Sequence, residues 1–155
     1  MEISRPNRVT RTYVQHLVAP PETVFPLLCP VREVEWAAGW RPIQVFSNSG
    51  LAEPDCVFVT ESSPSDTLWF VTRHEPESWF LEMLRVTPGV TACKLQIQLS
   101  PTVSGCDARV TYSHTSLGPA GDAFVGAFTE AYYEEFMKAW EEQLNHFLHT
   151  GIKLP

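Results

Sequence analysis

The longest amphipathic pattern of the chain covers residues 119–150. Apolar side chains recur there at intervals of three or four, which gathers them on one stripe of a helix: Phe124, Phe128, Tyr132, Phe136, Ala139, Trp140, Leu144 and Phe147. Polar side chains fall on the opposite side, namely Glu130, Glu134, Lys138, Glu141 and Asn145. Asp122 is placed to cap the start and Gly151 to end the helix. The pattern predicts one long helix that needs a large apolar partner.

The preceding sequence predicts strands, with two short helices near the beginning. A first strand is predicted at residues 9–18, followed by short helices at 22–28 and 31–38. Six more strands are predicted at 42–46, 56–62, 67–74, 78–87, 90–100 and 107–117, separated by short turns. Strands joined by short turns are antiparallel neighbours.

The alternation within these strands indicates one covered face and one wet face. Cys93, Leu95 and Ile97 share one face of their strand, and Tyr112 and His114 share a face of the last strand. We therefore predict an α+β fold in which a curved seven-stranded antiparallel sheet wraps around the C-terminal helix. An elongated apolar cavity is expected where the sheet and the helix separate.

The size and net charge of the chain narrow the range of possible functions. The 155 residues suit a single domain over 1–155, and the net charge of −7 argues against binding to nucleic acid. No apolar run is long enough for a membrane span, so an integral membrane protein is not expected. The N-terminus does not read as a signal peptide and the four cysteines are widely spaced, which favours a cytoplasmic protein with reduced thiols.

The chain resembles the helix-grip fold of the SRPBCC superfamily, which includes START-like, pollen-allergen-like and polyketide cyclase-like proteins. The resemblance rests on residues 19–25 (APPETVF), on the ladder of strands and on the amphipathic helix after Gly118. The run LLCPVREVEWAAGW, which ends at Trp40, looks like the signature of an uncharacterised branch. The resemblance implies an internal cavity for a small hydrophobic or amphipathic molecule, and it chooses no ligand because the superfamily has no shared catalytic motif.

Three strands carry polar groups in phase with apolar ones. His114 could act as an acid, a base or a ligand-orienting group, or be a buried histidine satisfied by backbone or water. Arg85 is in phase with Trp79, Leu81 and Met83, and Arg73 is in phase with Trp69 and Val71. Each arginine either binds an anionic head group or lies at the rim, paired with surface acids such as Glu82.

The short helices hold a dense aromatic cluster. Trp36 and Trp40, with Glu33 nearby, form either a gate at the cavity entrance or an anchor that packs the helices on the sheet. Glu135 borders the apolar stripe and either enters the cavity or faces solvent.

The remaining histidines offer weaker signals. His146 and His149 could share a metal, but cationic side chains in a last helical turn also suit the helix dipole, and we predict neither a metal nor a cofactor. His16 and His74 are weaker candidates for chemistry, and the phase of the first strand leaves His16 free to face solvent.

Three functions remain open. The favoured hypothesis is binding or carriage of a small hydrophobic ligand, such as a lipid or an aromatic or polyketide-like compound. The alternatives are a cyclase or dehydratase-type enzyme, with His114, Glu33 and Tyr112 as catalytic candidates, and an interaction module without a ligand. Exposed sheet edges make a homodimer credible. The predicted ligand contacts are Trp36, Trp40, Trp69, Trp79, Leu81, Met83, Arg85, Leu95, Ile97, Tyr112, His114, Phe128, Tyr132 and Phe136.

Overall fold

In the computed structural model, which describes all 155 residues, seven antiparallel strands form one sheet in the order β1-β7-β6-β5-β4-β3-β2. The strands are β1 (Arg8–Leu17), β2 (Pro42–Phe46), β3 (Val57–Thr60), β4 (Thr67–Glu75), β5 (Phe80–Thr87), β6 (Thr91–Thr102) and β7 (Gly105–Ser116). The helices are α1 (Pro21–Val24), α2 (Pro119–Ala127) and α3 (Glu130–Thr150), with 3₁₀ turns at Phe25–Leu28 and Arg32–Glu35.

The predicted alternation sets which face of the sheet is covered. In β6 the side chains of Cys93, Leu95, Ile97 and Leu99 are all buried, and in β7 burial extends through Val110, Tyr112 and His114. These residues join one core that also includes side chains of α3, and Phe124 of α2 packs against it. The predicted helix-grip architecture, a curved sheet against a C-terminal helix, is confirmed.

The C-terminal helix is broken in two, so the prediction of one continuous helix was wrong. α2 ends at Ala127 and α3 begins at Glu130. The Thr129 hydroxyl accepts a hydrogen bond from the Tyr132 N–H at 3.2 Å and caps α3, a role for which threonine is well suited. The break lets the Phe128 ring enter the core. Gly151, with φ +69°, ends α3 as predicted.

The break also changes the phase of the apolar stripe. The fully buried side chains of α3 are Tyr133, Met137 and Leu144, whereas Tyr132 and Phe136 are 53% and 39% exposed. The stripe drawn on a continuous helix had placed these two inward. Tyr133 instead anchors the helix, because its hydroxyl donates to the Val110 carbonyl of β7 at 2.6 Å.

Two polar residues predicted to face solvent bind the edge of β1. The Glu141 carboxylate accepts from the His16 N–H at 3.2 Å. The Asn145 amide accepts from the Val18 N–H at 3.0 Å and donates to the His16 carbonyl at 2.9 Å. β1 is an edge strand with unpaired backbone groups, so polar side chains on α3 satisfy them and cover the edge.

The start of α2 is set by close packing rather than by a side-chain cap. Asp122 lies in the first turn, not at the cap, and its carboxylate accepts from the Asn7 side chain at 2.8 Å. Gly121 packs so tightly on the sheet that a Cβ there would overlap the Val90 carbonyl oxygen. Only glycine allows the helix to approach the sheet this closely.

The first of the two short helical segments lies where it was predicted, and the second is shorter than predicted. One α turn continues into a 3₁₀ turn as far as Leu28, where Pro26 lacks the N–H that a longer α-helix would require. The second segment is a single 3₁₀ turn at Arg32–Glu35 rather than a helix over 31–38. None of the helices combines the length and apolarity needed to cross a membrane.

Candidate functional site

A cavity of about 230 Å³ lies between the inner face of the sheet and α3, and residues 33–40 close one side of it. Fourteen of its seventeen lining residues are hydrophobic. The lining comprises Glu33, Ala37, Ala38, Gly39, Trp40, Phe58, Trp69, Met83, Leu95, Ile97, Val110, Tyr112, Phe136, Met137, Ala139, Trp140 and Gln143.

One wall is a rigid aromatic cluster. The rings of Phe58 and Trp69 stack with centroids 5.2 Å apart, and Trp40 packs edge-on against both. The indole N–H groups are occupied, since Trp40 donates to the Pro30 carbonyl at 2.8 Å and Trp69 donates to the Thr60 hydroxyl at 3.0 Å. With their polar atoms bonded elsewhere, these residues present aromatic carbon to the cavity.

Glu33 brings a carboxyl group to this apolar lining. Burial raises the pKa of Glu33 from 4.5 to about 8, and no protein group donates a hydrogen bond to it. The adjacent Arg32 does not neutralise the Glu33 carboxyl, because its guanidinium pairs with the Glu35 carboxylate on the outer side at 2.8 Å. At neutral pH the Glu33 carboxyl is therefore mostly protonated.

Tyr112 is the second polar group of the lining. Burial raises the pKa of its hydroxyl well above the ordinary value; the Arg85 charge opposes this rise and a charge on Glu33 adds to it. The pKa of Tyr112 thus responds to both the Arg85 charge and a charge on Glu33.

His114 and Arg85 lie behind the aromatic lining, not in it. His114 is fully buried, with Phe124 and Phe128 at centroid distances of 4.8 and 4.6 Å, and neither ring nitrogen has a protein partner. Burial, helped by the Arg85 charge, lowers the pKa of His114 to about 4. The Arg85 guanidinium lies 5.1 Å from the centroid of the Trp69 ring, and its buried Nε has no partner.

The more exposed lining residues define a mouth between residues 38–39 and α3. Ala38, Gly39 and Ala139 are exposed there. The Ala38 N–H donates to the Gln143 side chain at 2.5 Å, which ties the loop to the helix across the opening.

Comparison with solved structures identifies the fold, although no protein-family model and no curated protein matches the sequence. Norcoclaurine synthase from Thalictrum flavum superimposes with a TM-score of 0.68 at 9% identity, over 94% of this chain and 88% of that one. A complex of that protein with dopamine and hydroxybenzaldehyde matches with a TM-score of 0.63 at 8% identity, over 92% of this chain and 93% of that one.

Two further matches extend this group. Ara h 8.0201 has a TM-score of 0.61 at 13% identity, over 89% of this chain and 98% of that one. DynU16, from the dynemicin biosynthetic locus, has a TM-score of 0.58 at 17% identity, over 94% of this chain and 48% of that one. The chain has the helix-grip fold. These neighbours are SRPBCC members, so the resemblance is confirmed at the level of the fold.

The helix-grip structure brings about half of the predicted ligand contacts to the cavity. The lining includes Trp40, Trp69, Met83, Leu95, Ile97, Tyr112 and Phe136, and also the catalytic candidate Glu33. The other predicted contacts lie outside it: Trp36, Trp79, Leu81, Arg85, His114, Phe128 and Tyr132.

Specific contacts explain the positions outside the cavity. Trp36 is an anchor, because its indole donates to the Leu27 carbonyl at 2.9 Å and its ring packs on Trp140 at 5.2 Å. Trp79 was predicted within a strand, but it precedes β5 in a turn with φ +54°. Leu81 is buried within the core.

The inward alternative for Arg73 was wrong. The pairing of β4 with β5 shifts register between Val71 and Arg73, and this bulge turns Arg73 to the outer face. There it pairs with Glu75 at 2.8 Å. Sequence alternation alone could not show the extra residue.

Several lining residues were missed by the sequence reasoning. Met137 was missed because the helix break changes the phase of α3, and Ala38, Gly39, Ala139 and Gln143 carry no sequence signal for a mouth. Phe58 alternates with Cys56 in an apolar strand, a pattern that could have identified it.

The other candidates are not among the cavity-lining residues. His16 is exposed and bonds Asp107 at 2.7 Å, which raises its pKa. His74 packs beside Phe25, and burial lowers its pKa. The His149 ring contacts the Asn145 carbonyl at 2.9 Å, and Glu135 is exposed. No three His, Cys, Asp or Glu side chains converge as a metal site would require.

Proposed function

We propose that this protein binds a small hydrophobic or amphipathic molecule in the cavity beneath α3. The observation that carries the proposal is an apolar space of about 230 Å³, walled by aromatic rings and left unfilled by side chains. For scale, an engineered apolar cavity of about 150 Å³ binds benzene. The size favours a ligand of one or two rings over a long acyl chain. The open space also argues against an interaction module without a ligand.

The fold of the neighbours supports the same reading. The norcoclaurine synthase complex holds dopamine and hydroxybenzaldehyde on a helix-grip fold. For this chain we propose only the general property that a small molecule binds to a protein of this fold. We also place the protein in the cytoplasm, since its four cysteines are all free and buried.

A neutral two-ring probe tests the proposal. 2-Naphthalenemethanol should bind with micromolar affinity in a fluorescence titration. Ala139→Trp should weaken binding about tenfold or more, because the indole would fill the mouth of an otherwise intact cavity. The matched control is Ala131→Trp, an exposed site on the same helix outside the lining, which should bind as the wild type does. Equal binding by both variants, or no binding by the wild type, would refute the proposal.

A second candidate function is a cyclase or dehydratase-type enzyme. It is favoured by the pairing of two polar groups, Glu33 and Tyr112, within one apolar lining. A neutral carboxyl could donate a proton to a leaving hydroxyl, which typically contributes about 10²–10⁴-fold to a rate. Incubation with a metabolite extract, followed by mass spectrometry, should show a compound that loses water with the wild type and not with Glu33→Gln. If no compound changes mass, binding remains the only function supported.

We further propose that two copies pair through the outer face of β2 to β5. The strand registers place two adjacent apolar rows there: Phe46, Val57, Phe70 and Leu84, then Val59, Leu68 and Val86. Phe46 is 52% and Leu68 46% exposed, and the first row continues on β6 into a charged residue, Lys94, the partner of Leu84. An apolar sheet face commonly packs against another sheet. Sedimentation should show that the wild type is a dimer and that Phe70→Glu dissociates it. Thr12→Glu, on the polar part of the same face, should leave the dimer intact. A monomeric wild type would overturn the proposal.

A further inference from the structure

The cavity contains one carboxyl group and no cationic side chain. Six of its lining residues are aromatic: Trp40, Phe58, Trp69, Tyr112, Phe136 and Trp140. Glu33 and Tyr112 are the only titratable groups among the seventeen lining residues. The lining is therefore an aromatic enclosure with a single acidic group.

Nothing in the protein compensates this acidic group. A buried carboxyl without a hydrogen-bonding partner is costly, and such groups are normally paired. Arg32 is committed to Glu35 on the outer side. Arg85 is not among the lining residues, its guanidinium packs over the Trp69 ring at 5.1 Å, and its charge does not contribute to the pKa shift of Glu33. The Glu33 carboxyl, which lines the cavity, therefore has an open position at which a bound molecule can supply the partner.

We infer that the ligand carries a basic amine, whose ammonium group binds Glu33 while its rings pack against the aromatic wall. The inference rests on the proposed function and names its ligand class. An ammonium supplies charge-assisted N–H donors to a carboxylate. Aromatic faces next to a carboxylate are also the surroundings that attract organic cations. A neutral alcohol would gain one ordinary hydrogen bond, and a carboxylate ligand would meet an acid without a counter-ion in the lining.

If an ammonium group binds Glu33, the carboxyl group should release its proton on binding. Before binding, Glu33 holds a proton at neutral pH, since burial raises its pKa to about 8. The arriving ammonium favours the ionised carboxylate, so the proton leaves to solvent. The Tyr112 hydroxyl keeps its proton, because its pKa is raised well above neutral. His114, outside the lining, is already neutral, because burial lowers its pKa to about 4. Amine binding should thus release close to one proton per site near pH 7.

Three probes of one shape distinguish the ligand classes. 2-Naphthylmethylamine, 2-naphthalenemethanol and 2-naphthoate are titrated by calorimetry in phosphate and in Tris, because buffers of different ionisation enthalpy reveal proton release. We expect the amine to bind at least about tenfold more tightly than the alcohol, since hydrogen bonds to charged groups are about twice as strong as neutral ones. Naphthoate should bind most weakly.

Variants separate this inference from the proposed function. Glu33→Gln should remove the preference for the amine over the alcohol and abolish proton release. Glu142→Gln, an exposed site on α3, is the matched control and should behave as wild type. If the alcohol binds but the amine binds no more tightly, the amine inference is wrong while the binding function stands. Tightest binding of naphthoate would also overturn it. No binding by any probe would refute both.

Discussion

Replacing Glu33 by glutamine should stabilise the protein at pH 8 and give no comparable gain at pH 4. Glutamine has nearly the same shape as the protonated side chain but cannot ionise. In the unfolded chain the Glu33 carboxyl loses its proton near its ordinary pKa of 4.5, whereas in the folded protein burial raises the pKa to about 8. Between these values the folded state alone holds the proton, so folding becomes less favourable as the pH rises.

The magnitude follows from the difference between the two pKa values. Each pH unit between 4.5 and about 8 costs about 1.4 kcal/mol, which totals at most about 5 kcal/mol of wild-type stability. Glu33 is 9% exposed, so solvent screening reduces this figure only modestly. The contribution is fully present below pH 4.5 and lost by about pH 8. Glu33→Gln lacks this loss, so its advantage over wild type should increase steadily across that range.

Urea unfolding followed by tryptophan fluorescence, repeated at each pH from 4 to 9, measures the difference directly. Other titrating groups are common to both proteins and cancel. Glu142→Gln on the exposed side of α3 should run parallel to wild type at every pH. A Glu33→Gln curve that also stays parallel to wild type would show that the carboxyl ionises freely in the folded protein. The reasoning about the cavity would then fail.

Two further substitutions test the packing, and an NMR titration tests the electrostatics. Gly121→Ala should destabilise the protein by about 1–3 kcal/mol in urea unfolding, because the added Cβ overlaps the sheet backbone; Gly126→Ala, on the same helix with open space around it, should not. Tyr133→Phe should cost about 1–2 kcal/mol through a lost buried hydrogen bond, and an unchanged midpoint would contradict that role. In an NMR titration His16 should titrate above 6.5 and His114 should stay neutral down to about pH 4; a His114 that titrates near 6.5 would mean that its ring is hydrated.

Local pattern was sufficient for the order of strands and helices and for the covered face of the sheet. Alternation in β6 and β7 reports burial directly, because successive side chains point to opposite faces of a strand. That pattern could not predict the break between α2 and α3. The break depends on the cap at Thr129 and on space in the core for the Phe128 ring. Hydrophobic periodicity over a long window resolves neither feature.

The pattern of strands followed by one long amphipathic helix was enough to predict a cavity, but the tertiary structure alone decided which groups line it. Trp69 and Arg85 are direct cross-strand partners, yet one lines the cavity and the other lies behind it. Glu33 reaches the lining from a separate segment, and its altered acidity arises only because remote strands and α3 exclude water around it. Desolvation depends on every surrounding atom, whereas a sequence pattern records only neighbours along the chain.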